Sequence, residues 1–279
     1  MKLHKRLALA LSALALMPFA QAVAADYEPP IYVEPAEEYV PVEVGSGWYL
    51  RGDVGYALST DTGIASYRTF DPITSTYGSA NFDTSSLDSD FTFGGGVGYR
   101  YNEWIRGDAT IDGFRSDFSG TTNAAVPCPG GPVGTGCRSE DSAEVSALSF
   151  MANGYVDLGT YVGITPYVGA GAGMSYLSWS DLNDKLYCTG PTCAGTVYPT
   201  VAHAGQQDWR FTYALMAGAA YDLTKNLKVD LGYKYRNIDG GDMFGWDAAT
   251  VAAGATGSQG SDDGLQQHEV RIGLRYEIW

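Results

Sequence analysis

Two tripeptides, Arg51-Gly52-Asp53 and Arg106-Gly107-Asp108, place a guanidinium and a carboxylate two residues apart. Displayed on a loop, that tripeptide serves as a cell-adhesion ligand. Both copies lie in extended, alternating stretches, where residues two apart share a face, so they read as equivalent charge pairs pointing into the protein. His268 precedes Glu269, and with a loop serine such a pair could hydrolyse an ester, but no nucleophile motif accompanies it. His203 sits between Ala202 and Ala204 in what reads as a loop. Gly169-Ala170-Gly171-Ala172-Gly173 would suit a phosphate only before a helix and a lysine, and it lies inside a strand. The expectation is a non-enzyme with no catalytic residues, no metal and no cofactor.

Cys128, Cys137, Cys188 and Cys193 permit three pairings, and the spacings C-x8-C and C-x4-C favour two local bridges because small loops close at the lowest entropic cost. Zinc is the weaker reading, since no histidine lies near either pair. An oxidising compartment is expected, and the N-terminus supplies the route to it. Lys2, Lys5 and Arg6 precede an apolar run over residues 7–20 and the small-residue stretch Gln21-Ala22-Val23-Ala24-Ala25. That is the form of a cleavable signal peptide over 1–25, cut after Ala24 or Ala25, and the run is too short for a membrane helix. Removing the signal takes Lys+Arg from 17 to 14 against 32 acids, and the net charge from −15 to −18. So acidic a protein repels nucleic acid.

Residues 26–46 are acidic and proline-containing (Pro29, Pro30, Pro35, Pro41), a composition expected of an extended periplasmic linker. From 47 to 279 the chain alternates. Trp48, Leu50, Gly52, Val54 and Tyr56 fall on one face, with Tyr49, Arg51 and Asp53 on the other. The period recurs over 91–101, 105–113, 145–158, 166–179, 210–221, 227–236 and 269–278, which makes eight strands. The connections alternate long and short, with Asn102 and Glu103 in one short turn and Asp222-Leu223-Thr224-Lys225-Asn226 in another. An even strand count, short turns at one end and long loops at the other predict an all-β, eight-stranded antiparallel up-and-down transmembrane β-barrel with four long extracellular loops.

With the apolar face toward lipid, Arg51, Arg100, Arg106, Arg210, Lys228, Lys234, Arg236, Arg271 and Arg275 point inward with Asp53, Asp108, Asp112, Asp157, Asp230, Glu269 and Glu277. An eight-stranded barrel is just wide enough for its own side chains, so these charges are expected to pair into a plug. A narrow charged pore is the alternative, favoured by the room that Gly169, Gly171 and Gly173 could leave beside the arginines. The remaining acids, among them Asp83, Asp88, Asp90, Glu140, Asp141, Asp181, Asp184, Asp239, Asp242, Asp262 and Asp263, are expected on solvated outer loops. Trp48, Tyr56, Tyr99, Tyr101, Trp104, Tyr176, Trp209, Tyr221 and Tyr276 fall near strand ends, where aromatic girdles lie.

Four segments carry a resemblance: Asn153-Gly154-Tyr155-Val156-Asp157-Leu158-Gly159, Thr165-Pro166-Tyr167-Val168-Gly169-Ala170-Gly171, Leu231-Gly232-Tyr233-Lys234-Tyr235-Arg236 and Glu269-Val270-Arg271-Ile272-Gly273-Leu274-Arg275-Tyr276. They resemble the opacity-protein-like family of outer-membrane surface antigens and small porin-like barrels, especially those of alphaproteobacteria. The resemblance implies a Gram-negative cell outer membrane, contact with its lipid and lipopolysaccharide, and insertion by the barrel assembly machinery, which reads the aromatic C-terminal strand. Gly273, Tyr276 and Ile278 resemble that signal, although the chain ends on Trp279 where the family usually closes on Phe. The expected role is structural or surface interaction with an extracellular partner, and the alternative is a small-solute porin.

Overall fold

Segments in which aromatic and β-branched residues alternate with small or polar ones form strands, because a pleated chain sends neighbours to opposite faces. The computed structural model describes residues 47–278 apart from 194–197. The expected signal (1–25), the linker (26–46) and Trp279 lie outside the described residues. In chain order the elements are β1 (Trp48–Asp61), β2 (Ser66–Asp71), β3 (Thr76–Asn81), β4 (Thr84–Leu87), β5 (Phe91–Arg100), β6 (Ile105–Ala124) and β7 (Gly136–Asp157). There follow β8 (Ile164–Trp179), β9 (Leu182–Thr189), β10 (Val201–His203), β11 (Gln207–Asp222), β12 (Leu227–Gly245), a short helix α1 (Ala248–Ala252) and β13 (Ser258–Glu277).

Eight strands close a ring, β1–β5–β6–β7–β8–β11–β12–β13 and back to β1, with every neighbouring pair antiparallel. The seam between β1 and β13 runs from Tyr49 opposite Glu277 to Asp61 opposite Gln266, with one register shift between Ala57 and Ser59. Closure satisfies the backbone of both terminal strands, the condition for a sheet in hydrocarbon. Leu231, Ile272 and Leu274 point outward and are more than half exposed, as lipid-facing positions must be.

One end of the ring is tight. The Asn102 carboxamide oxygen accepts the amides of Trp104 and Ile105 at 2.8 Å, and the Thr224 hydroxyl accepts that of Leu227 at 3.0 Å. The other end is built up, and its connections are more ordered than the expected open loops. β6 and β7 stay paired as far as Ala124 opposite Cys137, and β12 and β13 as far as Gly245 opposite Ser258. β4 bridges from Thr60 of β1 to β6, β9 pairs with the upper part of β7, and the β2–β3 hairpin rests on β13. Disulfides join Cys128 to Cys137 and Cys188 to Cys193, the local pairing, and Cys137 lies directly opposite Cys188 on the β7–β9 ladder.

The strands run past the expected ends, 113 in β6 and 145 in β7, and beyond those points their pattern inverts. In the lower part of β6, Ile105, Ala109 and Ile111 point out and Arg106, Asp108 and Asp112 point in. Higher up, Arg115, Asp117 and Ser119 point out while Phe114 and Phe118 point in. Above the lipid the outer face meets water, so polarity changes sides while the strand continues.

Candidate functional site

The lower half of the barrel interior is polar, and its centre is Asp108. Its carboxylate accepts from Arg51 Nη1 at 2.8 Å, the Tyr49 hydroxyl at 3.1 Å and Asn153 Nδ2 at 2.7 Å. Arg51 also binds Asp53 through Nε and Nη2, at 2.9 and 2.7 Å, and donates to the Tyr155 hydroxyl at 2.8 Å. Arg106 Nε meets Asp157 at 3.0 Å, and its guanidinium lies 4.1 Å from the Tyr155 ring centre and 4.7 Å from that of Tyr167. Lys234 Nζ meets Asp112 at 2.9 Å. These groups are nearly devoid of solvent exposure, so each charge depends on its neighbours for the solvation it has lost.

What lets so many large side chains share the space is glycine. Tyr49, Asp53, Asp112, Asn153, Tyr155 and Tyr167 each point inward directly across the ladder from a glycine: Gly98, Gly273, Gly94, Gly171, Gly169 and Gly218 in turn. A Cβ on any of the six would run into its partner's side chain. For Gly169 the nearest Tyr155 ring carbon would stand 2.5 Å away, and for Gly218 the Tyr167 hydroxyl 2.7 Å. A Cβ at Gly169 would meet Tyr155, one at Gly171 would meet Asn153, and one at Gly173 the Phe150 carbonyl.

The other inward charges are less evenly served. Arg236 lies 3.7 Å from Glu269 and 5.5 Å from the Phe114 ring centre, with no hydrogen-bond partner on any guanidinium nitrogen. Arg275 stands 3.7 Å from Asp230, and Arg271 Nη2 lies 3.4 Å from the Met216 sulfur. Arg100 with Glu277, and Lys228 with Asp222, form pairs at the tight end, where Arg100 and Lys228 line a cavity of about 510 Å³ together with Asp157 and Arg275. Arg210 belongs to a separate, higher group with Asp208 at 2.8 Å and Asp262 at 2.7 Å.

Several expectations are corrected. Asp141, Asp184 and Asp262 are not freely solvated loop acids. Asp141 and Asp262 are buried and Asp184 half-buried, because the extended hairpins enclose them. His203 is not in an open loop but in β10, buried against β9. His268 and Glu269 are adjacent in a strand and so face opposite ways. Glu269 points inward, and His268 points outward, where its ring meets the Tyr233 hydroxyl at 2.5 Å, so the two share no chemistry. Nor do Arg106 and Asp108 pair with each other, since each is bound to another strand.

Sequence reading missed the layer above the charges. A chain of hydroxyls, Ser149–Ser175–Thr212 at 2.6 Å per step, leads into an apolar cluster that includes Phe114, Phe118, Val145, Leu177, Trp179, Ile238 and Phe244. The Phe118 ring centre stands 5.8 Å from Trp179 and 6.0 Å from Phe244. The signal for it was present as inward parity continuing past Gly113 in β6 and back from Ala147 in β7.

Outside, aromatic rings cluster at both ends of the apolar band. Trp48, Tyr99 and Tyr101 stack edge to face near the tight end, and Tyr176, Trp209 and Phe150 meet near the other. A family model described as "Outer membrane protein beta-barrel domain" matches residues 7–277. An uncharacterized protein of Brucella suis biovar 1 is 39% identical, covering 89% of this chain and 90% of its own length. The outer membrane protein PagN of Salmonella typhimurium is 26% identical over 68% of this chain and 74% of its own. Among solved structures, Neisserial surface protein A matches 84% of this chain and 98% of its own at 17% identity, with a TM-score of 0.41. With a closed eight-stranded ring, an apolar exterior and a match over nearly its whole length, the chain belongs to the outer membrane β-barrel proteins, and its place is the outer membrane of a Gram-negative bacterium.

Proposed function

We propose that the protein is a non-enzymatic barrel whose work is structural or surface interaction, and that its interior is a plug rather than a pore. The observation that carries this reading is the glycine seating. Large inward side chains fit into gaps that only a missing Cβ provides, and the apolar cluster lies over them. A filled eight-stranded lumen leaves no continuous water path. The built-up end, braced by two disulfides, is the part presented to the outside. Outer-membrane lipid and lipopolysaccharide surround the apolar band in this reading, and the barrel assembly machinery inserts the chain after cleavage behind Ala24 or Ala25.

Planar-bilayer recording of the purified mature protein tests it. The plug gives no reproducible unitary conductance. A stable unitary step would overturn the plug and establish the second reading, a small-solute porin, which the cavity at the tight end and the Arg236 guanidinium, paired with Glu269 but without a hydrogen bond, favour.

A further inference from the structure

Above the apolar cluster, on the side of the barrel that carries the long connections, Asp141 of β7 lies directly opposite Asp184 of β9. Like charges in a cross-strand pair repel, and this pair is withdrawn from water as well. Ser139 Oγ lies 2.7 Å from Asp141 Oδ2 and 2.9 Å from Asp184 Oδ1. A hydroxyl has one proton, so it serves one carboxylate and leaves the other without a donor. Burial pushes the Asp141 carboxyl up to about 7, and the neighbouring Asp184 adds to the shift against the hydrogen bond from Ser139. Among the described residues no salt bridge reaches either acid.

Both acids open onto a cavity of about 160 Å³, roughly ten times the room that one water needs. His203 lines the same cavity. It is only 6% exposed, and its Nδ1 has no hydrogen-bond partner. Tyr67, Phe82 and Phe244 line it too, with Leu182, Leu186, Thr122 and Gln259. A metal ion is a poor fit, because among the described residues no three His, Cys, Asp or Glu side chains stand close enough together to hold one.

We infer that this cavity is a binding site for an alkylammonium group. An ammonium carries three N–H donors and no acceptor. The cavity offers such a group the carboxylate that Ser139 leaves unserved, with the second carboxylate and His203 in the same lining, and the aromatic residues beside them suit both the cation and a short alkyl stem. The inference is independent of whether the barrel conducts, since the site lies above the lumen on loop-borne strands.

The test is titration calorimetry on the full mature protein in detergent micelles at pH 8, with butylamine, butan-1-ol, calcium chloride and Nα-acetyl-lysine N-methylamide as probes. Saturable one-to-one binding of butylamine is expected, weakened at least tenfold in Asp141→Asn and in Asp184→Asn, with butan-1-ol silent. Thr122→Trp, which fills the cavity while leaving both acids in place, should abolish binding, and heat-modifiable gel migration verifies that each variant is folded. If the lysine derivative also binds, the site admits a lysine side chain; if only butylamine binds, the ligand is a free amine. Absence of butylamine binding, equal binding of the alcohol, or saturable calcium binding with which the amine does not compete would overturn the inference.

Discussion

The lower and upper halves of the barrel interior are lined by the same strands and held by opposite means. Along β6 the inward series begins Arg106, Asp108, Thr110, Asp112 and continues Phe114, Ser116, Phe118. Below, order comes from direction: Asp108 gathers groups from two other strands, β1 and β7, and glycines across the ladder receive six of the inward side chains. Above, order comes from volume: Phe118 and Phe244 each pack edge to face on Trp179 and lie tilted against each other, with no polar contact among them. The outer face explains the division. Where lipid covers the outside, apolar residues are committed outward, and the inside is left with charges. Once the strands leave the lipid, the apolar residues return to the interior as in a soluble sheet.

The largest effects should separate the two halves. Asp108→Ala leaves the buried Arg51 guanidinium with Asp53 as its only acid, and is expected to cost about 3–5 kcal/mol. Replacing Arg51 by Met in the same chain should recover only part of that, because the stranded guanidinium goes but Asp53 loses the two hydrogen bonds Arg51 makes to it. Phe118→Ala should cost a comparable 3–5 kcal/mol, as a cavity in a packed cluster does. No second substitution of a charge should rescue it, whereas Phe118→Leu should restore much of the loss. Urea midpoints in micelles read all four. If Arg51→Met fails to rescue Asp108→Ala, pairing does not hold the lower half.

How much of this was legible in the sequence follows from the same inversion. Clean alternation, as in Leu227, Val229, Leu231 and Tyr233 against Lys228, Asp230 and Lys234, gave the ring, its faces and its tight end. The upper strands were lost because Arg115, Asp117 and Ser119 face water, and a polar outer face looks like a loop until the inward Phe114 and Phe118 are counted with it. The acidic pair was lost for another reason. Asp141 and Asp184 are far apart in the chain and meet only through the β7–β9 register, which no local pattern sets. Interior arginines were legible by parity, but their partners were not. Arg106 binds Asp157 rather than the nearby Asp108, a choice made between strands.

A somewhat smaller effect tests the outer face that drives the division. Leu231 points outward and is 60% exposed, in the lower half where lipid is the expected neighbour. Leu231→Arg should cost about 2–4 kcal/mol in bilayers, the penalty for a cation near the midplane. Ser119→Arg, on the outward face of the upper part of β6, should cost almost nothing, since water already solvates Arg115 and Asp117 on that face. Refolding into vesicles measures both. Equal costs would place the lipid boundary wrongly and remove the reason for the inversion.

The finest test concerns the seats. Gly98 lies opposite Tyr49, and a Cβ there would press into the phenol ring, the far end of a side chain that can shift. Gly98→Ala should therefore cost about 1–3 kcal/mol, the range for overpacking a filled core. The cost should shrink when Tyr49→Leu is made in the same chain, because the clashing ring is gone. A double-mutant cycle of urea midpoints isolates that coupling. The control is Gly52, on β1 and facing outward, where a Cβ meets nothing within 4 Å, so Gly52→Ala should leave stability essentially unchanged. Additive costs at 98 and 49 would mean that the glycine serves the backbone alone, and the lower half would then be packed by volume, like the half above it.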